Sequence, residues 1–444
     1  MHRNRLGAVL VRALTLTLTL VPTLASAGAG FQRPDLWPHP FGPGSPRGAS
    51  LPRDPARRCV VVPSRPGEDD APAILAAFRR CNRGGTVVLD AAYTLASPLD
   101  LTFLDGVDVA LSGSVTFSDD IPYWTAHAFR YAFQDQAAFW RFGGRDVHIF
   151  GRGRGLLDGN GQAWYDAFAA DPLLRRPVLL VLDGLHGGSV SGIRMTNPPG
   201  WFNLVANSSD ILVSDMKLDA QSASSNPAKN TDGWDTYRSD AVVIQDSVVS
   251  NGDDCVSFKP NTTNCVVQGL RCSGSHGISV GSLGQYAGRV DVVQNVYVYN
   301  VTMRDASAAA RIKVWPGAPT DFQPALRGGG GSGTVRNVTY DSVRSRNADL
   351  AIELTQCYGT KNLTACMERP SDVAISDVVF KNMWGQTSAK HDPVIGSLIC
   401  SDPSRCSNIQ VDGVTVHPPS GRPARMTCLN IDAKLVGIDC VAAK

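Results

Sequence analysis

From about residue 84 onward the chain repeats one phrase: a polar residue, a short β-branched run, a polar corner and a second short run. Asp146-Val-His-Ile-Phe150, Asp210-Ile-Leu-Val-Ser-Asp-Met-Lys-Leu218 and Asp240-Ala-Val-Val-Ile-Gln-Asp-Ser-Val-Val249 carry it, and it returns at Asn264, Asn295, Asn337, Asp372 and Asn408. From Asp210 on, successive starts lie 24 to 42 residues apart. Alternating runs are half-buried strands, and Asn, Asp and Gly corners are turns. A long period of strand and turn means stacked coils, each covering the apolar face of its neighbour. A two-sheet sandwich would place a strand about every 8 to 12 residues without the longer repeat. The expected fold is therefore all-β, a right-handed parallel β-helix. The larger spacings imply loops rising from the coils, where sites tend to be built.

Other segments fall outside this period. Residues 1–27 read as a signal peptide: Arg3 and Arg5, an apolar stretch too short to cross a bilayer, then Ala25-Ser26-Ala27. Residues 28–55 are Pro-rich and read as an extended arm. Residues 56–444 then form one β-helix domain, since a solenoid grows along one axis and needs no second core. Asp70 to Cys81 is the one convincing helix, capped by Asp69 or Asp70, with Pro72 in its first turn and Ile74, Leu75 and Phe78 on one face. It is expected to cover the open strand edges at the end of the solenoid.

Removing Arg3, Arg5 and Arg12 with the signal takes the formal charge from +2 to −1. That balance excludes a strong basic field, so nucleic acid is not an expected partner. After signal cleavage no segment calls for a membrane, and a secreted, extracellular monomer is expected. Eleven cysteines suit an oxidising compartment. Close spacing suggests Cys357 with Cys366, Cys400 with Cys406 and Cys428 with Cys440, with Cys59 and Cys81 near the N-terminus. Cys255 and Cys272 would pin two segments discussed next. Cys265 is left over, or displaces a partner in this scheme. Asn207, Asn261, Asn300, Asn337 and Asn362 begin glycosylation acceptor motifs.

Four segments carry the chemistry: Asn230-Thr231-Asp232, Gly252-Asp253-Asp254-Cys255, Ser275-His276-Gly277 and Arg311-Ile312-Lys313. Asp232, Asp253, His276 and Arg311 follow one another at intervals of 21, 23 and 35 residues. The first two intervals are about one coil, so these residues stack on one face. Hydrolysis of a glycosidic bond uses two carboxyl groups, one protonating the leaving oxygen and one attacking or activating water. Adjacent acids on a strand point to opposite faces, so Asp253 and Asp254 share a cleft only if a turn intervenes, which Gly252 permits. Arg311 and Lys313 share a strand face and suit a ligand carboxylate. Any one of these motifs alone fits a solvated turn or strand; their joint spacing makes a site.

These residues resemble the signatures of the polygalacturonases of glycoside hydrolase family 28, in the family's order and over roughly residues 57 to 440. Asp232-Gly-Trp-Asp-Thr-Tyr-Arg-Ser-Asp240, Cys255-Val-Ser-Phe-Lys-Pro-Asn261, Gly281-Ser-Leu-Gly-Gln-Tyr286 and Arg311-Ile-Lys-Val-Trp-Pro-Gly317 resemble the fungal exo-acting members. The resemblance implies inverting hydrolysis of α-1,4-galacturonan from the non-reducing end, without cofactor or metal. By that analogy Asp253 is the general acid, Asp232 and Asp254 hold and deprotonate water, and His276 tunes the acid. Arg311 and Lys313 would bind the galacturonate carboxylate, with Asn230 and Tyr358 fixing the sugar. Inversion leads us to expect about 6.5 to 9.5 Å between the acid and the water-activating carboxylates. Exo-hydrolysis of rhamnogalacturonan or xylogalacturonan is the alternative. A pectate lyase fits the histidine and the motif order poorly, and intact acids argue against an inactive carbohydrate-binding module. Exo action needs a wall across the groove, expected from Trp234–Tyr237 and Trp315–Gly333.

Overall fold

The computed structural model describes residues 50–318, 320–323, 326–360 and 362–443, all within one compact unit. Twenty-eight of the described strands join in one hydrogen-bonded system. One file of residues, one per coil, runs Arg58, Thr86, Asp108, His148, Ser189, Leu212, Val243, Val266, Tyr297, Thr339, Val379 and Gln410, every step a parallel pairing. This is the parallel β-helix, and it excludes the sandwich. The signal peptide and residues 28–49 of the arm lie outside the described residues.

Parity along each strand places the core. In the sheet that will carry the site, Val205, Thr236, Phe258, Val280, Ile312, Leu354 and Leu398 stack inward, and all are buried. Each large apolar member of such a file contributes about 1.5–3 kcal/mol by leaving water. At the corners, Asn264, Asn295 and Asn337 adopt φ of 55°, 58° and 54°, a region Asn tolerates better than most residues. Their side chains form a ladder: Asn295 Nδ2 donates to Asn264 Oδ1 and Asn337 Nδ2 to Asn295 Oδ1, each at 2.8 Å.

The helix spans Ala71–Cys81 and packs on the first coils. Ile74, Ala77 and Phe78 are buried, and Phe78 meets Phe142 edge-on at 5.8 Å. Asp69, rather than Asp70, serves its first turn, accepting from Ala71 N at 3.0 Å. Asp70 is buried and accepts instead from Ser64 N and Thr94 N, at 2.6 and 2.7 Å. Three short helices that lack a long apolar period, Ile121–His127, Gln162–Ala170 and Leu363–Glu368, sit in the loops. The end of the arm is docked rather than free: Arg53 Nε donates to Asp108 at 2.9 Å and Nη1 to Asp146 at 2.7 Å. Disulfides join Cys59–Cys81, Cys255–Cys272, Cys357–Cys366, Cys400–Cys406 and Cys428–Cys440, and Cys265 is a buried thiol. Among the described residues, no helix is long and apolar enough to cross a membrane.

Candidate active site

The two acid-bearing segments and the His276 segment sit just before three consecutive strands of one sheet, Trp234–Tyr237, Val256–Phe258 and Ile278–Leu283. Backbone bonds stack them coil on coil. Gly233 N donates to Asp254 O at 2.9 Å, Cys255 N to Gly277 O at 2.8 Å and His276 N to Asp253 O at 2.8 Å. Asp253 lies in a bend and neither it nor Asp254 lies in a strand, so the two side chains escape the alternation that would separate them. Gly252 makes that bend possible: a Cβ there would meet Ala228 O at 2.2 Å. Asn251 staples the segments, its Nδ2 donating to Thr231 O at 2.8 Å and to Asp253 O and Asp254 O at 2.9 Å. The Cys255–Cys272 disulfide closes the same region.

Each acid has a different partner. Asp253 Oδ1 lies 3.1 Å from His276 Nδ1, and Asp253 Oδ2 accepts from Asn230 Nδ2 at 3.1 Å. Asn230 Oδ1 in turn accepts from Arg176 Nη2 at 2.7 Å. Asp254 is fully buried; its Oδ2 accepts from Lys313 Nζ at 2.6 Å and its Oδ1 from Ser279 Oγ at 2.7 Å. Arg311 pairs through Nε with Glu353 at 2.6 Å and reaches Asp254 at 4.0 Å. Asp232 Oδ2 lies 3.6 Å from Lys259 Nζ, and Asp235 Oδ1 lies 3.4 Å from the same nitrogen. Tyr358 stands against Trp315, its ring centre 5.9 Å from the Arg311 guanidinium and 5.7 Å from Lys313 Nζ.

The sequence-expected residues therefore converge. Asn230, Asp232, Asp253, Asp254, His276, Arg311, Lys313 and Tyr358 form one connected set. One oxygen each of Asp253 and Asp254 and one nitrogen of His276 lie within 4.8 Å of one another. Sequence reasoning missed Arg176, Asp235, Asn251, Lys259 and Glu353. Asp235 had a usable signal: strand pairing aligns it with Ser257, Ser279, Arg311 and Glu353 on the outward face.

The surroundings spread the ionisation of the four aspartates. Burial pushes Asp232 well above the usual carboxylate range, and the charges of Asp235 and Asp253 add to it against the pull of Lys259. Burial likewise pushes Asp235 up to about 7 although Lys259 opposes the rise. Burial would raise Asp253 too, but the His276 bond and charge override it and hold the acid low. Burial of Asp254 is similarly outweighed, chiefly by Lys313. Burial disfavours the His276 cation, yet the Asp253 bond and charge raise it above its ordinary value. The site thus keeps two acids reluctant to ionise, one firmly ionised, and one sharing a proton with an imidazole.

Residues 85–438 match the family described as glycosyl hydrolases family 28. The chain belongs to that family. It is 51% identical over 428 residues to a probable exopolygalacturonase X of Aspergillus terreus, covering 96% of this chain and 97% of that protein. It is 50% identical over 431 residues to exopolygalacturonase A of Aspergillus niger, covering 96% and 98%. Among solved structures, the endo-xylogalacturonan hydrolase of Aspergillus tubingensis superimposes with a TM-score of 0.78 at 36% identity, over 87% of this chain and 99% of that one. The polygalacturonase of Erwinia carotovora shares the fold, with a TM-score of 0.63 at 18% identity over 87% and 97%. Membership makes the chain a glycoside hydrolase.

Proposed function

We propose that this protein is a secreted exopolygalacturonase that hydrolyses α-1,4-galacturonan from its non-reducing end and releases galacturonate. The observation that carries the proposal is the Asp253–His276 pair standing beside an ionised Asp254, with Arg311 and Lys313 on one strand face. The first pair offers a proton, the second group accepts one, and the two cations suit a sugar carboxylate. Relatives at about half identity that are named exopolygalacturonases support the exo reading.

Charge balance explains how an acid that rests ionised can act as a donor. Asp232, Asp235, Asp253, Asp254 and Glu353 stand against Arg176, Lys259, His276, Arg311 and Lys313, so a fully ionised site is neutral. A bound galacturonate adds a negative charge and displaces water, and both effects favour the protonated form of a carboxyl group. The proton held between His276 Nδ1 and Asp253 Oδ1 then sits on Asp253 and passes to the glycosidic oxygen. As the C1–O bond breaks, a water held by Asp232 and Asp254 adds to C1 and gives them its proton. After the product leaves, the water-activating carboxylates release that proton to solvent and His276 takes one up.

The closest oxygens of Asp253 and Asp254 lie within 4.8 Å, short of the separation of about 6.5 to 9.5 Å expected for an inverting pair. Separation alone would point to retention. Against that, both Asp254 oxygens are engaged by Lys313 and Ser279, which makes it a poor nucleophile, and the family resemblance implies inversion. Proton NMR during early turnover decides: β-galacturonate first is expected, and α-galacturonate would overturn inversion. Chromatography of early products from polygalacturonate tests the function itself, with monomer expected. Mixed oligomers would mean internal cleavage, and unsaturated products a lyase. The likeness to an endo-xylogalacturonan hydrolase favours one second reading, xylose-bearing galacturonan as substrate, which a comparison of kcat/KM on the two polymers settles.

A further inference from the structure

The outward file of the active-site sheet changes character along the coils. It runs Val181, Leu204, Asp235, Ser257, Ser279, Arg311, Glu353 and Ser397, one residue per coil. Past Arg311 it stays polar, and Glu353 and Ser397 are partly open to solvent. On the other flank of the acids it turns apolar and covered, with Leu204 at 1% and Val181 at 0% exposure.

A hairpin provides the cover. Phe129–Tyr131 pairs antiparallel with Gln136–Ala138, which also pairs with Pro177–Val178. Phe133 at the tip packs with Val181, Trp201, Leu204 and Ala206, and it stacks on Tyr237 with ring centres 4.1 Å apart. The tip is anchored on the far side as well: Gln134 N donates to Tyr286 Oη at 3.2 Å, and Gln134 Nε2 to Gln285 Oε1 at 3.0 Å. Asp135 pairs with Arg175 at 2.5 Å. Gln134 and Asp135 hold φ of 48° and 52°, a costly region for such residues that persists only where surroundings enforce it. Trp201, in the same cluster, lies under Lys259, with Nζ 5.0 Å from the ring centre.

Of the expected wall elements, Tyr237 stacks against this tip, while the two tryptophans are buried. Trp234 is an inward, fully buried strand residue. Trp315 is buried beneath Gly328 and Gly359. The loop after it buttresses the anchor: Gly329 N and Gly331 N donate to Gln285 O and Gly284 O, at 2.9 and 3.1 Å.

We infer that the hairpin tip Ala132–Gln136, stacked on Tyr237 and tied to Gln285 and Tyr286, is the wall that restricts this site to chain ends. A polymer laid along the file runs out over Arg311, Glu353 and Ser397, while beyond the acids it meets Phe133 and Trp201 instead of a polar face. The terminal sugar lies between the acids and that aromatic end, beside Lys259. The inference rests on the exopolygalacturonase reading.

The test replaces Ala132–Asp135 with Asn-Gly, which closes the same hairpin with a two-residue turn. A second variant, Phe133→Ala, leaves the backbone intact and serves if the first does not fold. Early products from polygalacturonate and loss of viscosity against reducing ends are measured for both and for the parent. A parent that yields only monomer, with a folded, active variant that releases oligomers and lowers viscosity at fewer cuts, is the expected result. A variant that remains folded and active and still yields only monomer overturns the wall. A parent that itself yields oligomers overturns the exo reading instead. As a check without loop surgery, the parent should refuse oligogalacturonate whose non-reducing O4 carries a bulky substituent, and Phe133→Ala should accept it; equal refusal or equal use by both also overturns the wall.

Discussion

Lys259→Met tests how the site keeps Asp232 able to accept a proton. Lys259 is 5% exposed in its side chain and sits between two buried carboxylates, 3.6 Å from Asp232 and 3.4 Å from Asp235. At about 4 Å and an effective dielectric near 20, one such pair is worth about 4 kcal/mol. Methionine keeps most of the bulk and removes the charge. Two acids already disfavoured as anions by burial then lose the cation that both of them face. Asp232, already reluctant to ionise in the parent, should hold its proton to still higher pH in the variant, most visibly at mildly acid pH. If Asp232 deprotonates the water, kcat falls about 10²- to 10⁴-fold there, and the acid limb of the profile moves to higher pH.

Stability gives the independent readout. Breaking one side of a buried ion pair costs about 3–5 kcal/mol when the remaining charge stays ionised. Here protonation relieves the cost. A carboxyl whose folded-state pKa is raised above its unfolded value destabilises the fold increasingly as pH rises through that interval. The melting-temperature gap between parent and variant should therefore widen from acid toward neutral pH. Adding Asp235→Asn should narrow it, since one of the two stranded acids is gone. A folded Lys259→Met enzyme with the parental acid limb and a gap independent of pH would refute the reasoning.

Asp253→Asn removes the proposed donor and should cost at least about 10²-fold in kcat, with little change in KM; near-normal turnover in a folded variant ends that assignment. The parental kcat/KM should fall as pH rises through the raised pKa of His276, which lies above the ordinary 6.5, because the Asp253–His276 pair then loses its proton; in His276→Ala that limb should move or vanish. Arg311→Ala should act mainly on KM for uronate chains. Lys313→Ala should lower kcat as well and destabilise the fold, because it strips the 2.6 Å partner from buried Asp254; equal, purely KM effects from both variants would contradict the division of roles.

What the sequence made legible follows from what a solenoid fixes. Once a period is recognised, register and parity place a residue without any knowledge of distant contacts. Asp232, Asp253 and His276 were findable because each precedes a strand of the same sheet in successive coils. Arg311 and Lys313 were findable because alternation by two puts both outside. The same parity could have excluded Trp234 from the wall: if Asp235 and Tyr237 face out, Trp234 and Thr236 face in, and the indole is fully buried. Lys259 carries no local signal: it follows Val256-Ser-Phe258 as a single cation, and nothing nearby in sequence shows that two carboxylates close around it. Arg176 and the hairpin at Phe129–Ala138 were out of reach for a different reason. They belong to excursions between coils, whose length and direction no register controls. Phe133 meets Tyr237 across a long stretch of chain, and Gln134 meets Tyr286 across a longer one. The coils position the acids, and their repeat is written in the sequence. The excursion that closes one flank of them obeys only its own packing, so whether such a site takes a chain end or a chain middle is decided where the repeat is silent.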